Sequence, residues 1–128
     1  MKECNKICKN KAIIVDDSRY SSVSIKNALR VFNIDVIDIA FSVVDFEAFL
    51  EGVEKPDIVT MDMVLPDGDG IECCEILWKK WPGLPVVFIS ASPLSDEQKD
   101  QLPHVIDYII KPLTIKKLGV ALSSHYFN

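Results

Sequence analysis

The sequence predicts an α/β sandwich, a parallel sheet with helices on both faces. Three observations lead there. Apolar runs rich in β-branched residues recur at 12–15, 34–40, 57–61, 85–89 and 107–110, and their near-continuous hydrophobicity is that of strands covered on both sides. The segments between them carry apolar residues at helical spacing instead. Strand and helix alternate along the chain, the order from which crossover helices build a parallel sheet.

Each element has its own signal. After the first strand, Ile25, Ala28, Leu29 and Phe32 fall on one helical face, and Asn33 suits a left-handed helix end. The second helix shows Phe46, Phe49, Leu50 and Val53 behind Ser42 and Asp45, an approximate capping box. Asp67, Gly68, Asp69 and Gly70 read mainly as a turn. The third helix presents Cys74, Leu77, Trp78 and Trp81 and is stopped by Pro82 and Gly83. Ser95, Asp96 and Glu97 announce a fourth helix that has only Leu94 and Leu102 as apolar surface, so a short, loosely held one is expected. Thr114 caps a last helix carrying Leu118, Ala121, Leu122 and His125, expected to run almost to Asn128 and to leave no room for a second domain.

Composition narrows the function. A chain of 128 residues reads as one domain, 1–128. Its net charge of −5 lacks the broad attraction that phosphate-backbone binding needs, so direct nucleic-acid binding is not expected. No apolar run reaches the length of a membrane span and residues 1–10 lack a signal-peptide core, so a cytoplasmic protein without membrane insertion is expected. The four cysteines, Cys4, Cys8, Cys73 and Cys74, lack the spacing of a zinc site and read as free thiols, with Cys74 toward the core and Cys73 beside that face.

The chemistry is expected beyond the carboxyl ends of the strands, where open parallel sheets bind ligands. There the first strand runs into Asp16 and Asp17, the third into Asp62, the fourth into Ser90 and the fifth into Lys111. Two carboxylates about 4 Å apart repel by roughly 4 kcal/mol at an effective dielectric near 20, so three in one cleft call for a cation. An all-oxygen site of few protein ligands suits Mg2+. Lys111 would add a point charge and Ser90 a neutral donor, a set that neutralises a transferring phosphoryl group. Each signal alone is bland, since Asp16-Asp17 before Ser18 is also a good helix start. A calcium loop fails, because aligning Gly70 as its glycine puts Leu65 and Ile76 at ligand positions.

Taken together, Asp16-Asp17, Asp62 with Pro66 and Asp69-Gly70, Ser90-Ala91, and Asp107-Tyr108 followed by Lys111-Pro112 resemble the receiver domain of two-component response regulators, over about residues 11–123. The resemblance implies a flavodoxin-like three-layer sandwich, with five helices around a five-stranded parallel sheet of order 2-1-3-4-5. It implies a stand-alone, chemotaxis-regulator-like signalling protein rather than an enzyme in the ordinary sense. Asp62 would accept a phosphoryl group from a sensor histidine kinase or a histidine phosphotransfer protein. Asp17, Asp62 and the main-chain carbonyl of Val64 would hold Mg2+, with Asp16 acting through a metal-bound water. Lys111 would pair with the phosphoryl oxygens across a cis bond to Pro112. Ser90 and Tyr108 would form the switch read by a downstream effector protein. The alternative is a receiver-like interaction domain that works without phosphorylation.

Two departures from that family pattern stand out. Leu65 and Gly68 replace methionines around the Pro66 turn, and Val105 with its neighbours replaces a Gly-Ala pair before the last strand. Val64 and Ser92 occupy positions that in this family influence phosphate loss, and an apolar Val64 implies slow self-dephosphorylation. A haloacid-dehalogenase-like phosphatase would want an aspartate where Val64 stands.

Overall fold

The computed structural model describes residues 10–126. Five strands, β1 (Asn10–Val15), β2 (Ile34–Ala40), β3 (Ile58–Met61), β4 (Val86–Ser90) and β5 (Val105–Ile110), form one sheet in the order β2-β1-β3-β4-β5. Every pairing in that sheet is parallel. The helices are α1 (Arg19–Val31), α2 (Val43–Phe49), α3 (Gly70–Lys80), α4 (Asp96–Asp100) and α5 (Ile115–Tyr126). A separate antiparallel ladder joins Val64–Leu65 to Gly68–Asp69, so the segment expected to be only a turn is a minimal hairpin.

The sheet divides two cores. Ile13, Val15, Val59, Met61 and Phe88 pack with Phe46 of α2 and Cys73, Cys74 and Leu77 of α3 on one face. Ala12, Ile14, Ile58, Val87 and Ile89 pack with Ile25 and Leu29 of α1 and Leu118 and Leu122 of α5 on the other. Strands β3 and β4 are buried along their whole length, whereas the edge strands β2 and β5 are mostly half-buried. Both edges carry a register shift, which leaves Ile37 and Ile106 unpaired. Bulges at sheet edges discourage pairing with another chain. β5 starts at Val105, ahead of the expected 107, because Val105 pairs with Val86 before the shift.

The helix signals translate into local chemistry. Ser18, Ser42, Asp69 and Ser95 are N-caps whose side chains accept backbone N–H groups of the first turn. Thr114 accepts the N–H of Lys117 in the same way. Asn33 has φ 61° and Gly83 φ 80°, the left-handed residues that end α1 and follow α3. Helix α4 buries none of its own residues and is held by a Ser95–Gln98 capping box, with Leu94 and Leu102 buried on either side.

The cysteine reading needs one correction. Cys73 is fully buried like Cys74, because the crossing of α3 over the sheet covers both. Burial, with Glu72 beside it, pushes the Cys73 thiol up to about 12, and burial pushes Cys74 higher still. Neither offers a thiolate near neutral pH. Cys4 and Cys8 lie outside the described residues.

Candidate functional site

The sheet brings the strand-end residues to one rim. Its ladder continues past the strands: the Asp16 N–H donates to Ala40 O (3.0 Å), Asp62 N–H to Val15 O (2.9 Å) and Lys111 N–H to Ser90 O (2.8 Å). Each functional side chain therefore leaves a backbone fixed by its neighbour strand. Asp16, Asp17 and Asp62 each turn an oxygen into one cluster, the three lying within 4.8 Å of one another.

Asp16 is fully buried. Its Oδ1 accepts the Ser18 N–H at 2.9 Å, and its Oδ2 accepts the Ser21 hydroxyl at 2.7 Å. The Lys111 ammonium lies between two carboxylates, 3.0 Å from Asp16 Oδ2 and 3.1 Å from Asp62 Oδ2. Asp62 is only 7% exposed, whereas Asp17 faces solvent. Lys111-Pro112 is a cis peptide.

Burial, helped by the charge of Asp16, lifts the Asp62 carboxyl above its ordinary value, against the pull of Lys111 and the Met63 N–H. Burial opposes the charge on Lys111, but its hydrogen bonds to Asp16 and Asp62 and their negative charges outweigh it and hold the ammonium above the usual lysine range. Three carboxylates face one ammonium, an excess of negative charge that a dication would balance. The donor set is all oxygen, and Asp17 stands at the solvent side where waters can complete a coordination shell. That is compatible with Mg2+.

A cleft of about 490 Å³ opens over this cluster, lined by Asp17, Asp62, Val64, Ser90, Ser92 and Lys111 among others. Val64 is 72% exposed at its wall. Ser90 is buried, and its hydroxyl donates to the Ser92 carbonyl at 3.0 Å, so here it serves its own loop. Tyr108 is not among the lining residues. Its ring stacks on Phe88, with centroids 5.9 Å apart, and carries the Lys99 ammonium 4.9 Å from its centre.

The roles of several residues are not legible in the sequence, although Asp67 and Gly70 stand in its turn and Gly70 in the family motif. Gly70 is one: a Cβ there would overlap the Asp62 carbonyl oxygen and come within 2.8 Å of the Phe88 ring. Its N–H also donates to Met63 O at 2.8 Å, so the missing side chain lets the α3 start support the backbone of Asp62. Asp67 is another, its two oxygens accepting the N–H groups of Val43 (2.8 Å) and Val44 (3.0 Å) at the head of α2. Ser21 and Lys99 complete the set, and neither residue type nor spacing marked them.

Comparison with known proteins follows the same outline. The family described as "Response regulator receiver domain" matches residues 12–123. The chemotaxis protein CheY of Listeria monocytogenes is 31% identical over 118 residues, covering 88% of this chain and 94% of that protein. CheY of Treponema pallidum is 36% identical over 121 residues, covering 89% and 81%. Among solved structures, the CheX-CheY-BeF3-Mg2+ complex from Borrelia burgdorferi is similar with a TM-score of 0.79 and 26% identity, over 90% of this chain and 87% of that one.

Proposed function

The chain belongs to the response regulator receiver family, and from that premise we propose that Asp62 accepts a phosphoryl group, with Mg2+, from a phosphohistidine on a sensor histidine kinase or phosphotransfer protein. The observation that carries this reading is the Lys111 ammonium set between Asp16 and Asp62 at the mouth of an acidic cleft. An Asp62 oxygen attacks phosphorus, the P–N bond to the donor imidazole breaks, and an acyl phosphate forms. Transfer of this kind passes through a loose transition state, so positioning and charge neutralisation do most of the work.

The chain's own residues supply both. The β3 ladder and the close approach of Gly70 fix Asp62. Lys111 turns its donors to the phosphoryl oxygens, and Ser90 exchanges its Ser92 partner for the same group. Asp17, Asp62 and the Val64 carbonyl would hold Mg2+ directly and Asp16 through a water, and the ion supplies further charge neutralisation when bound. The new group adds roughly 1.5 to 2 negative charges, on the scale of phosphorylated hydroxyls, and three acceptor oxygens. That bias acts on the Ser90 loop, Tyr108 and the weakly anchored α4, which present the changed surface to a downstream effector.

Acetyl phosphate with Mg2+ should add one phosphoryl mass to the intact protein, and Asp62→Asn should add none. A wild-type chain of unchanged mass would overturn the proposal.

A further inference from the structure

We propose that Ser21 is a positioning residue that holds Asp16 in place while Lys111 changes partners. The inference rests on the Mg2+-dependent reading of the site and concerns a residue outside the acid–lysine set.

Asp16 has a limited capacity to accept hydrogen bonds. A carboxylate oxygen has two acceptor positions. On Asp16 Oδ2 the Ser21 hydroxyl donates at 2.7 Å and the Lys111 ammonium forms an ion pair at 3.0 Å. On Oδ1 one position is taken, by the Ser18 N–H. Oδ2 is therefore the more crowded oxygen of Asp16, and Oδ1 is the one that Ser21 leaves alone. The Ser21 bond sets which oxygen of Asp16 would be left for the Mg2+ site.

The same limited capacity shows when the hydroxyl matters most. A phosphoryl group on Asp62 offers three acceptor oxygens to Lys111, whose ammonium now serves Asp16 and Asp62. When Lys111 turns to them, Oδ2 of a carboxylate with no exposed surface keeps Ser21 as its one donor. Leaving a buried charged oxygen without a donor is costly, so without Ser21 the carboxylate would rotate or retain Lys111.

The neighbouring serine hydroxyls make other bonds. The Ser18 hydroxyl accepts the Ser21 N–H as the cap of α1, and the Ser22 hydroxyl donates to Ser18 O at 2.8 Å. These bonds place Ser21 on the first turn with its hydroxyl aimed at Asp16, a short charge-assisted contact.

The test compares Ser21→Thr with Ser21→Val, two β-branched side chains of like shape that differ in the hydroxyl. Mg2+ affinity is measured by calorimetry, with and without beryllofluoride as the phosphoryl mimic. Ser21→Thr should stay near wild type. Ser21→Val should weaken Mg2+ by about tenfold, the low end for losing a group that orients a metal ligand, and weaken it further with beryllofluoride present. Equal affinities for the two variants would overturn the assignment, and an equal loss with and without the mimic would overturn the exchange of Lys111. Ser21→Ala replaces the valine variant in the same comparison should that one not fold. A wild-type chain that binds no Mg2+ would instead sink the reading of the site beneath it.

Discussion

Asp62 is held by opposing forces. Burial disfavours its charge while Lys111 stabilises it, and the first effect prevails. A carboxylate kept in that balance gains when a cation arrives, because the cation offsets both the burial and the repulsion from Asp16. On the proposed reading, Val64 would act on the reverse step. Its exposed apolar side chain at the cleft wall has no group with which to orient a water toward the acyl phosphate. Val64→Asn adds such a group, and one hydrogen bond of about 1 kcal/mol in the transition state corresponds to about fivefold in rate. The phosphorylated Asn variant should lose its label about fivefold faster than wild type in a decay assay, with Val64→Ala close to wild type. A lifetime shortened by alanine and untouched by asparagine would contradict this.

At the level of elements, the loop after β3 is tied in two directions. Asp69 caps α3 by accepting the Glu72 N–H at 2.9 Å, and Asp67 accepts two N–H groups at the head of α2. The loop that follows Asp62 is thus anchored to both helices on its side of the sheet. The hydrogen bonds from Val43 and Val44 hold the Asp67 carboxyl below the usual carboxylate range. A group whose native pKa is depressed stabilises the fold above its unfolded-chain value, and that contribution is lost as pH falls through the native pKa. Asp67→Ala should therefore be less stable than wild type at neutral pH, with the gap closing in acid. Urea denaturation of both proteins across that range checks it, and a gap independent of pH would show that the carboxylate charge is not what matters.

For the molecule as a whole, the sheet serves as a device for gathering charge. Parallel strands all end on one rim, so residues as distant in sequence as Asp16, Asp62 and Lys111 meet there. The gathered carboxylates repel, and a cation that binds only the folded chain stabilises it by mass action. Mg2+ at about a hundredfold excess over its Kd should contribute about 2.7 kcal/mol, which for a domain of this size raises Tm by roughly 10 °C. Asp17→Ala, a substitution at an exposed position, should fold as well as wild type yet lose the Mg2+-dependent rise. A rise that survives in that variant would place the ion elsewhere. Among the described residues no helix is long and apolar enough to cross a membrane.

The sequence by itself determined the order and type of the five sheet strands and five helices, and the acids, hydroxyl and lysine at the strand ends. Those features are encoded locally, in apolar periodicity and capping residues such as Ser18, Ser95 and Thr114. Only the tertiary structure decided which oxygen of Asp16 is closed off by Ser21, that the Ser90 hydroxyl turns to Ser92, that Lys99 covers Tyr108 and that Gly70 must lack a side chain. Each of these depends on side-chain orientation or on contacts between elements, which leave no mark in spacing along the chain. Serines 18, 21 and 22 share one side-chain chemistry, and only the path of α1 past the end of β1 assigns the hydroxyl of Ser21 to the buried acid.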